Sequence, residues 1–224
     1  MTVAGFAAVI FDCDGVLVDS EILGLDDSAS YLHEHGFNWS PADLVRLFTG
    51  LRDDVFFERL SSEYLAINGR EPKATFFDGL LSVRRSRRDE LQSVPGADDA
   101  LNALSLPKAV ASSSRTEFLE SKLKRTRLYD FFEPHIYSAE LVSHGKPAPD
   151  IFLYTAEKIA IDPARCLVIE DSEHGVLAAR AAGMTVWGFL GGGHCFDGHG
   201  DRLAASGADR IVDSFQDFIS LLDA

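Results

Sequence analysis

Asp12 and Asp14 stand two residues apart, directly after the apolar run Ala7-Ala8-Val9-Ile10-Phe11. A β-branched and aromatic run bounded by Asp and Gly reads as a buried strand ending in a sharp turn. In an open α/β sheet, ligands bind in the crevice beyond the carboxyl ends of the strands. The two carboxylates can converge on one site if the chain leaves the flat strand conformation there, and Gly15 is the residue that permits that turn. One carboxylate could then attack an electrophile while the other moves protons. The plainer alternative is a solvated turn in which Asp14 and Asp19 help to start a helix.

Three later segments also place polar residues at predicted strand ends. Ser112-Ser113-Ser114 follows the strand Lys108 to Ala111; Lys146 lies in the loop Gly145-Lys146-Pro147-Ala148-Pro149-Asp150; Glu170-Asp171-Ser172 follows the strand Cys166 to Ile169. Singly, each has an ordinary explanation: serines that cap a helix, a solvated lysine before proline, an acidic helix start. Their order and placement together resemble the signatures of the haloacid dehalogenase (HAD) superfamily. The matching segments are Asp12 to Glu21 (DCDGVLVDSE), Val110-Ala111-Ser112-Ser113-Ser114, the Lys146 loop, and Val168-Ile169-Glu170-Asp171-Ser172 with Gly175.

The resemblance covers nearly the whole chain and implies an α/β fold: a Rossmann-like, doubly wound parallel sheet with an inserted α-helical cap. It implies Asp12 as a nucleophile that takes a phosphoryl group to form an aspartyl-phosphate. A carboxylate attacking a phosphate dianion meets strong repulsion, which a hard divalent cation between them neutralises; Mg2+ prefers oxygen ligands. Asp12, the backbone carbonyl of Asp14 and Asp171 would supply such oxygens, with Glu170 a direct or outer ligand. The Asp14 side chain is then free to protonate the departing alcohol and deprotonate the attacking water. Dehalogenases of this superfamily lack an acid at that position and use no metal, so the resemblance points to phosphoryl chemistry. Ser112, with Ser113 and the N–H groups that follow, would hold phosphate oxygens near a helix start, and Lys146 would pair with Asp12 and the phosphoryl group.

Positioning these groups requires a frame. Strands at Lys108 to Ala111, His135 to Tyr137, Cys166 to Ile169, Thr185 to Gly188 and Arg210 to Val212 alternate with helical stretches, the last from Phe215 to Leu222, which implies a parallel sheet covered on both faces. Residues 20–92 break the alternation with helices at Ile22 to His35, Pro41 to Phe48, Asp53 to Asn68 and Ala74 to Leu91. This block is too long for an ordinary crossover. The expected division is therefore a core of residues 1–17 and 93–224 with a cap of residues 18–92. Placement and type of cap resemble the β-phosphoglucomutase-like and phosphoglycolate-phosphatase-like branch. Glu21, Thr49 and Arg52 are the cap candidates for substrate contact, with an exposed ion pair the alternative for Arg52. Where β-phosphoglucomutases carry a cap histidine and a lysine, this chain has Gly24 and Thr49, which weakens a mutase reading. The basic run Arg84-Arg85-Ser86-Arg87-Arg88 reads as a solvated helix face, and His33 and His35 as surface residues. Gly191-Gly192-Gly193-His194-Cys195, with His199 beyond, lacks the partner spacing of a zinc site and reads as a mobile loop at the rim.

Composition sets the outer limits. The chain has 224 residues, 46% of them hydrophobic, and a formal net charge of −14. The charge argues against nucleic acid or an anionic membrane as a partner, and no apolar stretch has the length of a membrane span. Cys13, Cys166 and Cys195 are scattered singly, as in a protein of the reducing cytoplasm. Residues 1–5 run straight into the first strand without the pattern of a signal peptide. A monomer is the family-typical expectation. The expected activity is hydrolysis of a small phosphate ester, a sugar or sugar-acid phosphate; a sugar-phosphate mutase and a non-catalytic binder of phosphorylated metabolites are the alternatives.

Overall fold

The computed structural model describes residues 5–222; Met1 to Ala4, part of the stretch read above for a leader, lie outside the described residues. The elements run β1 (Ala8–Phe11), α1 (Leu25–Glu34), α2 (Pro41–Phe48), α3 (Asp53–Asn68), α4 (Ala74–Ser86), α5 (Ala97–Ala103), β2 (Lys108–Ser112), α6 (Thr116–Arg125), β3 (Ile136–Ser138), α7 (Asp150–Lys158), β4 (Cys166–Glu170), α8 (Glu173–Ala181), β5 (Thr185–Phe189), α9 (His199–Ala205), β6 (Arg210–Val212) and α10 (Phe215–Leu222). The six strands form one parallel sheet in the order β3-β2-β1-β4-β5-β6. Strand order reverses at β1, which pairs β2 on one side and β4 on the other. That is the switch point at which such sheets open a crevice. Phe11 stands opposite Val110 and Ile169, so Asp12, Ser112 and Glu170 leave the sheet at the same edge.

Strand residues alternate between two buried faces. Val9, Phe11, Val110 and Ile169 pack with Leu119, Phe132, Phe215 and Phe218. Ala8, Ile10, Ala111 and Val168 pack on the other side with Ile151, Phe152, Val176 and Leu203. With both faces covered, β1 can be apolar at every position, and only its end is free to be polar.

Between β1 and β2, helices α1 to α4 build a separate apolar cluster of Leu32, Phe37, Leu44, Leu60, Tyr64, Phe76 and Leu80. Local signals set its boundaries. Ser40 and Asp43 form a reciprocal capping box at the start of α2, with Pro41 in the first turn, and Gly69 ends α3 in the left-handed region at φ 66°. Three expectations shift. Helix α1 begins at Leu25 rather than Ile22, because Gly24 takes φ 63° as its N-cap. Helix α4 ends at Ser86, and Arg88–Glu90 makes a separate 3-10 turn. His35 is half-buried, its ring centroid 4.4 Å from Tyr31 and 5.1 Å from Phe76, so only His33 is an exposed surface residue. The seven-residue helices α5 and α9 are additions, too short to show a periodic pattern.

Phe218 is fully buried, its ring 5.9 Å from Phe11 and 6.0 Å from Trp187. Phe218→Ala should destabilise the protein by about 3–5 kcal/mol, read as a lower urea midpoint; a loss below about 1 kcal/mol would contradict this packing.

Candidate active site

The chain turns sharply where β1 ends. Gly15 sits at φ 78°, and the N–H groups of Leu17 and Val18 both donate to the Cys13 carbonyl. A Cβ on Gly15 would stand 2.0 Å from Asp171 Oδ2, so only glycine lets this turn pass beside the end of β4. The turn brings Asp12 and Asp14 to one cavity.

Lys146 is the hub. Its buried Nζ donates to Asp12 Oδ1 at 2.6 Å, to Glu170 Oε1 at 2.5 Å and to the Ala111 carbonyl at 3.2 Å. Burial alone would favour the neutral amine; Asp12 and Glu170 reverse that and hold Lys146 above the usual lysine range. Glu170 Oε2 accepts from both the N–H and the hydroxyl of Ser172, each at 2.9 Å. A Cβ on Gly175 would lie 1.8 Å from Glu170 Oε1, so this carboxylate too needs glycine beside it. Burial pushes Asp12 up to about 7 against the pull of Lys146, with Glu170 and Asp14 adding to the rise.

Asp171 is buried, and its carboxyl is raised well above the usual range by burial and by Glu170 and Asp12. Its Oδ2 lies 2.8 Å from His194 Nε2 but off the direction of a hydrogen bond, and it takes no hydrogen bond among the described residues. Three buried carboxylates thus face one ammonium, and one carboxylate oxygen is orphaned. That donor set, all oxygen and with surplus negative charge, fits a hard divalent cation.

Asp14 is held differently. Its Oδ1 accepts from Ser20 and Lys122, and its Oδ2 accepts from Ser114 at 2.7 Å. Burial opposes its ionisation, but Lys122 and the three hydrogen bonds win and hold it at about 2. Lys122 escaped the sequence reading: it lies among the charged residues of α6, and no local spacing sets it apart.

The glycine-rich loop is not a mobile rim. His194 is fully buried, and a Cβ on Gly192 would stand 2.5 Å from the Gly15 carbonyl, so the loop is threaded against the β1 turn. Gly193 N–H donates to Asp19 at 2.9 Å. His199 Nε2 donates to the Asp171 carbonyl at 2.6 Å, while its Nδ1 accepts from Arg202 at 3.0 Å. Donor atoms of His194, Cys195 and His199 lie within 4.8 Å of one another. Both nitrogens of His199 are already engaged, so the cluster grips Asp171 rather than offering a free set of metal ligands. The three glycines were the available signal.

The cavity, of about 500 Å3, is lined by Asp12, Asp14, Ser113, Ser114, Glu21 and Thr49 among others. Ser112 lies just beneath, 1% exposed, its hydroxyl accepting from Ser114 N–H at 3.0 Å. Ser113 donates to the Gly50 carbonyl at 2.9 Å and so ties the strand end to the helical insertion. Burial and the nearby Asp14 raise the Glu21 carboxyl against the pull of His194 and Arg84. Arg52 is not brought to the cavity: it forks onto Asp54 at 2.6 and 3.0 Å, and its stem covers Gly145. The basic run is not simply a solvated face either, since Arg84, Arg85 and Arg88 line the cavity.

The raised value of Asp12 has a sign. An unfolded aspartate ionises near 4, so between about pH 4 and 7 the unfolded chain releases this proton first, and the folded state loses stability as pH rises. In chelator at pH 8, Asp12→Asn should therefore be more stable than wild type by on the order of 1–3 kcal/mol, the gap closing towards pH 4. Denaturation at the two pH values checks this; a less stable variant at pH 8 would refute it.

Residues 6–183 match the family model of the haloacid dehalogenase-like hydrolases. The chain is 32% identical over 183 residues to a bifunctional riboflavin kinase/FMN phosphatase of Arabidopsis thaliana, covering 80% of this chain and 47% of that one, about half the relative's length. It is 30% identical over 214 residues to a phosphorylated carbohydrates phosphatase of Thermotoga maritima, covering 92% and 93% of the two chains. The solved structure of a haloacid dehalogenase-like protein of unknown function from Agrobacterium tumefaciens superposes with a TM-score of 0.85 at 36% identity, over 98% of each chain. The chain belongs to the haloacid dehalogenase-like hydrolases, and the acidic edge of its parallel sheet is the candidate centre of that activity.

Proposed function

We propose that the chain is a magnesium-dependent phosphatase of a small phosphomonoester, a sugar or sugar-acid phosphate, acting through an aspartyl-phosphate on Asp12. One observation carries the reading. Asp12 stands at the switch point of the sheet, one oxygen fixed by Lys146, the other without a hydrogen bond among the described residues, and it lines the cavity. The carbohydrate named for the Thermotoga relative points to the same substrate class.

Asp12 and Asp171, with the Asp14 carbonyl, would hold Mg2+; both oxygens of Glu170 are engaged by Lys146 and Ser172, which favours an outer place for it. When bound, the ion would neutralise charge between Asp12 and the phosphoryl group. The free Asp12 oxygen attacks phosphorus in line with the ester oxygen, and the ester P–O bond breaks as the new one forms. Asp14 gives a proton to the departing alcohol. It then takes one from the water that attacks the aspartyl-phosphate, and inorganic phosphate leaves. Ser112, Ser113 and Lys146 hold the phosphoryl oxygens. At rest Asp14 is ionised, so before it can donate, its contacts with Lys122 and Ser20 must open and it must take up a proton from water. Ser20 lies where residues 18–92, acting as a cap, leave the core of residues 1–17 and 93–224, which couples that opening to cap closure.

No helix among the described residues is long and apolar enough to cross a membrane. The three cysteines are unpaired, which supports a reducing, cytoplasmic setting. A monomer acting on a small molecule, with no nucleic-acid partner, completes the reading.

Phosphate release from a panel of sugar and sugar-acid phosphates should require Mg2+, stop in chelator, and fall on the order of 10^4-fold or more in Asp12→Asn. Mg2+ at a hundredfold excess over its dissociation constant should also stabilise wild type by about 2.7 kcal/mol, and Asp171→Asn much less. Near-normal turnover in Asp12→Asn would sink the mechanism. An isomerised ester with little free phosphate would replace hydrolase by mutase.

A further inference from the structure

The basic run at the end of α4 divides in a way that its sequence does not show. Arg87 faces away from the cavity and is doubly ion-paired, to Asp27 at 2.9 Å and Glu90 at 3.0 Å. Arg84, Arg85 and Arg88 line the cavity and make no ion pair among the described residues. The lysine and the arginine that α6 brings to the same cavity are matched instead: Lys122 by Asp14, and Arg125 by Asp89 at 2.8 Å.

Two of the three unmatched guanidinium groups are also placed. Arg84 lies over the ring of Phe56, 5.6 Å from its centroid, and Arg88 lies over Phe118 at 4.9 Å. Both rings line the cavity, one from the helical insertion and one from α6. Stacking on a ring fixes the plane of a guanidinium and leaves its N–H edge free to donate to an anion. The C-terminal end of α4 favours basic residues nearby through its dipole. That explains why arginines occur in its last turn, but not why three arginines of the run line the cavity.

We infer that these arginines receive a second anionic group of the substrate, a carboxylate or a second phosphate, remote from the phosphate that reacts at Asp12. The inference rests on the phosphatase reading of the same cavity. Glu21 and Thr49, which line the cavity as well, suit the hydroxyl groups of a polyol placed between the two anions. The net charge of −14 repels any such molecule in bulk solution, so local cations at the cavity are what admit it.

A matched pair of open-chain esters tests this. 6-Phosphogluconate and sorbitol 6-phosphate share the phosphate and the hydroxyls next to it and differ at the far end, carboxylate against hydroxymethyl. Fructose 1,6-bisphosphate against fructose 6-phosphate tests the second phosphate and so separates the two sources of the anion. In wild type, kcat/KM should favour the doubly anionic member of at least one pair by about tenfold or more. In Arg84→Gln/Arg88→Gln that ratio should collapse towards one, while Arg87→Gln, which touches no cavity, keeps it. A wild-type ratio of one in both pairs, or a ratio unmoved in the double variant, overturns the inference while leaving the phosphatase reading intact. Silence on every ester would overturn the phosphatase reading. The inference is then decided by calorimetric binding of the same pairs to Asp12→Asn with and without the arginine substitutions: equal affinity for both members refutes it, and an arginine-dependent preference supports it.

Discussion

A buried surplus of negative charge at the end of β1 and β4 is the constraint on which the rest of the structure depends. Asp12, Glu170 and Asp171 are almost wholly withdrawn from water, and Lys146 is the lysine or arginine bonded among them in the described residues. Isolated buried carboxylates are expensive and tend to take up protons. The sheet tolerates these because its parallel register delivers them to the crevice at the switch point, where a positive group can enter. The hydrophobic faces of the sheet matter here chiefly as anchors: β1 and β4 cannot slide without turning their apolar residues out of two packed layers.

Glycine is the second requirement, and for a steric reason. At Gly15 and Gly175 a single methyl group would overlap the carboxylates of Asp171 and Glu170. At Gly192 it would overlap the turn that carries Asp14. Backbone is therefore packed directly against charged groups, which fixes them without relying on flexible side chains. The loop after β5 completes the arrangement by gripping residue 171 twice, His194 against its carboxylate and His199 on its carbonyl. Through Gly193 and Asp19 the same loop touches the point where the chain departs for the helical insertion.

The helical insertion divides its labour. Its interior is an apolar cluster that holds four helices together, and one edge of it joins the strand ends in walling the cavity. Contacts across that wall are both polar and apolar: Ser113 donates to the Gly50 carbonyl, and Leu23 and Leu91 pack into the cluster beneath the sheet.

Much of this was legible in the residues. The strand ending at Asp12, the alternation of strands and helices, the helical block after the first strand and the capped start of α2 all follow from local periodicity and turn chemistry, which are written in neighbouring residues. Only the tertiary structure decided the partners. Lys122 meets Asp14 across 108 positions of chain, His194 reaches Asp171 from a loop that reads as irregular, Arg52 turns to Asp54, and three arginines of one run face the cavity while Arg87 does not. A long charged side chain on a helix surface is free to point in several directions. What packs opposite it selects one, and that neighbour is set by the fold rather than by the adjacent sequence.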